Sequence, residues 1–387
     1  MSDRKKIFPE EIELSEIVLN KTNQAFELIK QEDTGYMKKS NIRSKKSLKK
    51  QAAAVVGVCI LAISSISVAA AVHHYWGRGM SGNLQASDEK QQELTENGMA
   101  TVYREDPDYP SLAVTDNGIT VAPETVIVDD RFAYMSFKIS GYNVADGEEP
   151  GFYMVDVYQG DDPEDDGSWI NMYGGAMYDG IIPDENGHPV YENGSPLEFN
   201  EDGGIISCYT DSNGNMEYII HAGIVDQNDS LLGKKLHVNF TNLGVFSREK
   251  KGEFTPEAEG DWNFEIILPD VSSAKDIKVE QEVEGTGFVM ESINISPISM
   301  KVNYSVIKAP EIYEDENGIP RVQGVVLKDG TRLPYLTDGG GTGYTDSTRA
   351  NAYHMAGYDR VIDVDEVVAL IVLPSDGGEK VEIPIAK

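Results

Sequence analysis

One uninterrupted apolar stretch constrains this chain more than anything else in it. Ala52 to Val72, AAAVVGVCILAISSISVAAAV, holds no charged residue and no proline. As a helix at 1.5 Å per residue it would be about 31 Å long, close to the ~30 Å hydrocarbon core of a bilayer. Lys45, Lys46, Lys49 and Lys50 precede it, and Tyr75 and Trp76 follow it. Lysines favour the cytoplasmic side, and an aromatic pair suits the opposite interface. These features predict a short cytoplasmic segment, one transmembrane helix and a large extracellular C-terminal part. A cleaved signal peptide fits less well, because about fifty residues precede the stretch, far more than an n-region. A buried core helix would be amphipathic and would not follow a lysine cluster.

Charge divides at the same place. Twelve basic and eight acidic residues precede Ala52; 21 basic and 57 acidic residues follow Val72. So acidic a C-terminal part would repel phosphates, which argues against nucleic acid as a partner. The two cysteines, Cys59 and Cys208, fall on either side of the predicted interface, so no internal disulfide is expected.

Pro9-Glu10-Glu11 has the composition of a helix start. Leu14, Ile17, Val18, Phe26, Leu28 and Ile29 then recur at helical spacings and form one apolar stripe. A segment this short builds no core of its own, so the stripe needs a partner or a lipid surface. These six residues are the candidate partner-binding set. The basic run Met37 to Lys50 fits attraction to anionic headgroups, which makes the bilayer itself an expected partner.

Past the span, Gly82 to Asn97 is polar and predicts a stalk helix with little to bury. From Leu112 the texture becomes alternating and β-branched, punctuated by Asp-Gly and Asn-Gly. Asp116-Asn117-Gly118 between Leu112–Thr115 and Ile119–Val121 is a tight-hairpin signal. Strands are expected at 125–128, 132–139, 152–158, 204–209, 216–221, 235–240 and 262–268, then at 288–295, 299–307, 322–327, 366–373 and 380–385. The run from Gly287, GFVMESINISPISMKVNYSV, echoes that from Gly118, GITVAPETVIVDDRFAYMSFKI. The expected fold is mostly β, with a short cytoplasmic helix, one transmembrane helix and two tandem β-sandwich (Ig-like) units. The expected parts are a cytoplasmic segment (1–51), the span (52–72), a stalk (73–110) and two sandwiches (111–272 and 273–387).

No chemical motif stands out. The six histidines are scattered without metal-ligand spacing, and no G-x-S-x-G elbow occurs. Gly339-Gly340-Gly341-Thr342-Gly343 lacks the spacing and the lysine of a phosphate loop, and is expected to be a flexible surface loop. Asp162, Glu164, Asp166 and Gly167 match four positions of an EF-hand loop, but Tyr173 stands where its bidentate glutamate belongs, so a solvated acidic turn is the better reading. Trp169 and Trp262 would suit a ligand groove, though a core tryptophan is the commoner role in a sandwich. No catalytic residue, cofactor site or metal site is assigned, and no enzyme is expected.

The chain resembles the bacterial single-pass proteins that carry the domain of unknown function 4179. The resemblance rests on FPEEIELSEIVLNKTNQAFELIK ahead of a basic stretch, on VTDNGITVAPETVIVDDRFAYMSFKISGY, and on WNFEIILP before a second β region. Many such proteins resemble membrane anti-sigma factors. The resemblance implies a signalling protein with an extracytoplasmic β sensor for an unknown ligand and a cytoplasmic helix that binds a sigma factor. The chain lacks the His-x-x-x-Cys-x-x-Cys zinc motif of another anti-sigma class, so any inhibition would be zinc-free. The competing expectation is a cell-surface or envelope-binding protein with an inert anchor.

Overall fold

The computed structural model describes residues 76–103, 112–145, 147–160, 170, 172–200, 203–224, 229–247, 252–307, 318–374 and 378–385. The partner-binding set and the apolar stretch Ala52 to Val72 lie outside these residues. The unit from Val72 onward is one compact body.

Chain entry is through the core. Trp76 is 2% exposed, and its backbone N–H donates to Gln91 Oε1 at 3.1 Å. Helix α1 (Arg78–Asn83) and helix α2 (Asp88–Glu96) follow. Ser87 caps α2 by accepting from the Lys90 N–H, with Asp88 and Glu89 in the first turn. Met80, Leu84 and Leu94 are buried. The segment expected to be a polar stalk is therefore packed into the protein.

The strands make two pairs of facing sheets. Along the chain come β1 (Ala100–Val102), β2 (Val114–Asp116), β3 (Ile119–Val128), β4 (Phe132–Ser140), β5 (Glu149–Gln159) and β6 (Met172–Met177). A small hairpin, β7 (Ile181–Pro183) with β8 (Pro189–Tyr191), precedes β9 (Met216–Gly223), β10 (Lys235–Phe246) and β11 (Phe254–Ile267). One sheet has the order β1-β3-β4-β9-β6, with β2 also on β3, and a second has the order β11-β10-β5. They close over Phe137, Phe152, Phe240, Trp262 and Phe264, with Phe137 and Phe240 ring centroids 4.9 Å apart. The turn between β2 and β3 has positive φ at both Asn117 (47°) and Gly118 (83°), the geometry that selects Asn-Gly in tight hairpins.

The second pair uses β12 (Lys275–Val283), β13 (Phe288–Ile295), β14 (Ser299–Val306), β15 (Arg321–Leu327), β16 (Arg332–Leu333), β17 (Thr337–Tyr344), β18 (Asn351–Tyr358), β19 (Val367–Leu373) and β20 (Val381–Pro384). Its sheets have the orders β12-β13-β14-β18-β17 and β16-β15-β19-β20. Their core holds Phe288, Ile293, Val302, Val325 and Leu370.

The two halves are not separate beads. In β3 and β4 alternate residues serve different cores: Val126, Val128, Met135 and Phe137 face the first, whereas Ile127, Phe132 and Tyr134 join the second together with Trp76 and Met80. Burial on both faces explains why the stretches Val126–Val128 and Phe132–Met135 are continuously apolar or aromatic, with no charged residue. At the seam the two echoing hairpins meet turn to turn. Asp129, 1% exposed, follows β3; its Oδ2 accepts from the hydroxyls of Ser296 and Ser299, between β13 and β14. Its Oδ1 accepts from the backbone N–H of Arg131 (2.8 Å) and Phe132 (2.7 Å). Burial pushes the Asp129 pKa up, against these four donors, which pull it down. Nearby, the Tyr134 hydroxyl donates to the Tyr358 carbonyl at 2.8 Å and accepts from the Tyr358 N–H at 2.7 Å.

The mostly β content fits the expected texture, but the expected fold class needs correction. Among the described residues no helix is long and apolar enough to cross a membrane. The helices α1 and α2 have 6 and 9 residues, against the ~20 a span requires. The single-pass membrane description is corrected accordingly. Trp76, expected in an interfacial aromatic belt, is a core residue instead.

Candidate functional site

A half-open cavity of about 590 Å³ lies at the seam between the halves. Its floor is the face of the first sheet formed by β4, β9 and β6. Phe132, Ile219 and His221 lie there, and the register places Gly174 beside His221 and Ala176 beside Ile219. One wall is the end of α1, Gly82 and Asn83. Another is the chain from Tyr178 to Pro183, leading into β7. The third belongs to the second half: Asp338, Gly339 and Gly340 of β17, with Asp359.

Glycines set this shape, each for its own reason. A Cβ on Gly82 would lie 2.0 Å from the Tyr178 hydroxyl, so glycine lets α1 lie against that ring. Gly340 has φ +136°, and a Cβ there would lie 2.1 Å from the Met355 carbonyl oxygen. Gly174 differs. It has no positive φ, and a Cβ there meets nothing within 4 Å. Neither backbone conformation nor packing requires glycine at this position, and its effect is to leave the floor open.

The polar groups are few. His221 Nε2 lies 2.7 Å from Asn83 Nδ2, and the Tyr134 ring meets the imidazole edge-on at 4.7 Å between centroids. Burial lowers the His221 pKa, while the Asp338 charge raises it; the net direction is down, so the ring is neutral near pH 7. Asp179 Oδ1 accepts from the Ile181 N–H at 3.0 Å, and burial raises its pKa. Asp359 is paired with Arg360, Nε to Oδ1 at 2.8 Å. Behind the Tyr178 ring, Arg78 sits 5.0 Å from the centroid and pairs with Glu192 at 2.9 Å.

The start of α1 is fixed from below. Glu217 on β9 accepts from the N–H groups of Gly79 (2.5 Å) and Met80 (3.3 Å). Cβ atoms on Gly77 and Gly79 would run into this carboxylate, so the two glycines permit the approach. Burial and then the neighbouring Glu124 push the Glu217 pKa up to about 8.

Little of this was expected from the sequence. The Asp161 to Gly167 loop and Trp169 lie outside the described residues. Among those described, no three His, Cys, Asp or Glu side chains group as metal ligands. Trp262 is a core residue, fully buried, its Nε1 donating to the Ile119 carbonyl at 3.1 Å. The glycines at 339–343, expected in a surface loop, belong to β17, and Gly339 and Gly340 line the cavity. His221 and Gly174 had no motif around them. The signal that was there is the Gly174-Gly175 pair inside a strand, which marks close approach of a backbone or a ligand.

No family model matches this chain, and no curated protein matches it in sequence. It is similar to a solved structure described as the crystal structure of the conserved domain protein from Bacillus anthracis. That likeness has 15% identity and a TM-score of 0.41, over 72% of this chain and 79% of the other.

Proposed function

We propose that the β unit is the ligand-receiving part of a signalling protein, and that the cavity between its two halves is where the ligand binds. The observation that carries this reading is the open floor at Gly174, glycine by neither strain nor packing, in a cavity of about 590 Å³. Ligand sites of ~300–1,000 Å³ occur preferentially where two packed bodies meet. Here β6 and β9 come from one half and β17 from the other, so a ligand touching both stabilises one relative arrangement of the halves.

The signalling half of the proposal comes from the sequence. The stripe Leu14, Ile17, Val18, Phe26, Leu28 and Ile29 offers a surface for a regulator such as a sigma factor. Burying four of these side chains is worth about 6–12 kcal/mol gross, at ~1.5–3 kcal/mol each, before the cost of ordering and association.

A thermal-shift screen of the full chain tests the first half. Compounds that raise Tm should lose their effect in Gly174→Phe, which fills the floor without forcing the backbone. Hits that bind this variant as tightly as wild type would place the ligand elsewhere. For the second half, Phe26→Asp with Ile29→Asp should release the regulator and raise its transcripts. Unchanged transcripts at normal expression would remove the signalling role.

A further inference from the structure

The lining of the cavity has a chemical bias. Asp179, Asp338 and Asp359 reach it, and Phe132 and Tyr178 give it aromatic surface, yet no lysine or arginine lines it. The nearby guanidinium groups are committed. Arg360 occupies the Asp359 carboxylate, and Arg78 is held by Glu192 and by the Cys208 carbonyl at 2.8 Å. Among the described residues Asp338 has no ion-pair partner, and Asp179 feels only the more distant Arg78 charge. The remaining titratable group, His221, contributes no positive charge near neutral pH. Glycines 174, 175, 339 and 340 leave backbone uncovered around the same space, where peptide carbonyls can accept hydrogen bonds.

From this lining we infer that the ligand is an organic cation: an ammonium or guanidinium group on an apolar body. The body packs on Phe132 and Tyr178, and the cationic head lies toward Asp338 and Asp179. An anion would be repelled by Asp338 and by the partly buried Asp179, whereas a cation is attracted by both and a neutral ligand gains from neither. Aromatic faces attract cations through the ring quadrupole, and an ammonium brings three donors to a wall rich in acceptors. The excess of 57 acidic over 21 basic residues beyond Val72 draws cations toward the site from a distance.

The inference rests on the cavity reading, and the two fail separately. Three probes of similar shape, phenethylammonium, 2-phenylethanol and phenylacetate, are titrated calorimetrically against the full chain at low salt. Phenethylammonium should bind at least about tenfold more tightly than either of the others. Asp338→Asn should weaken it about tenfold while changing the alcohol less than about twofold. Asp338 is exposed, so this variant folds as wild type does. Gly174→Phe should abolish binding. Equal or tighter binding of the alcohol or the acid, still lost in Gly174→Phe, overturns the cation inference and leaves the cavity as the site. Failure of all three probes at about 10 mM also overturns it, and the cavity then stands or falls on its own screen. Ammonium binding that survives Gly174→Phe overturns both.

Discussion

Removing the Asp129 carboxylate should separate the two halves energetically. Asp129→Ala takes one acceptor group from two serine hydroxyls and two backbone N–H groups, in a place 1% exposed. Each buried donor left without a partner costs about 1–3 kcal/mol. The Ser296 hydroxyl has an alternative acceptor in the Ser299 carbonyl at 3.3 Å, so three of the four donors are orphaned. Allowing for partial relaxation and entry of water, the expected loss is about 3–5 kcal/mol, a large share of the ~5–15 kcal/mol that stabilises a typical domain. Asp129→Asn keeps the oxygen that accepts from Arg131 and Phe132, and its amide can donate to a serine that turns to accept. Its loss should be about 1–2 kcal/mol. Urea titrations of the full chain, followed by tryptophan fluorescence, measure both. Because Trp262 reports on the first core and Trp76 on the second, the alanine variant should also broaden or split the transition. A loss below about 1 kcal/mol in Asp129→Ala, or one no larger than in Asp129→Asn, would refute the view that this carboxylate holds the seam together.

Tyr134→Phe should cost about 1–3 kcal/mol, because it strips the hydroxyl donor from the buried Tyr358 carbonyl, while the Tyr358 N–H keeps the Ile298 carbonyl at 3.0 Å; a double mutant with Asp129→Asn would show whether the two contacts act as one unit. Glu217 sets a pH dependence. Its folded pKa of about 8 lies above the ordinary glutamate value of 4.5, so the folded state keeps a proton that the unfolded chain has released. Its stabilising contribution is complete below about pH 4.5 and is lost as pH rises toward 8, by at most ~1.4 kcal/mol per pH unit. Melting curves across that window should show the decline in wild type and a flatter profile in Glu217→Gln; equal slopes would exclude Glu217 as its source. Gly82→Val should drive α1 away from Tyr178, reducing both stability and the affinity of any cavity ligand, read by melting and by titration.

Local β structure was legible wherever sequence and packing asked for the same thing. The Asn117-Gly118 turn was explicit, and the expected strand at 288–295 agrees with β13 residue for residue. Other strands were hidden by a local signal that the fold overrides. Separate strands are expected at 119–121 and 125–128, but β3 runs through both, with Pro123 at a register shift between Pro123 and Thr125 where a missing N–H is tolerated. Lys275–Val283 is absent from the expected strands because it is an edge strand with mostly exposed side chains. RGMSGN has no helical pattern; its helix exists because glycines let it sit on Glu217 and Tyr178. The candidate site was illegible for a related reason. It collects residues from 82–83, 132, 173–183, 219–221 and 338–359, and only the folded seam brings them together.

The burial of Trp76 has a mechanical consequence. Trp76 is clamped in the core by its indole and by the bond from its N–H to Gln91, with α1 starting two residues later. A pull applied at that point meets no slack. It loads α1 directly, and the far end of α1, Gly82 and Asn83, is a wall of the cavity. Tension at the entry of the chain and occupancy of the cavity therefore act on opposite ends of one short, stiff rod, so that work done at either end is felt at the other.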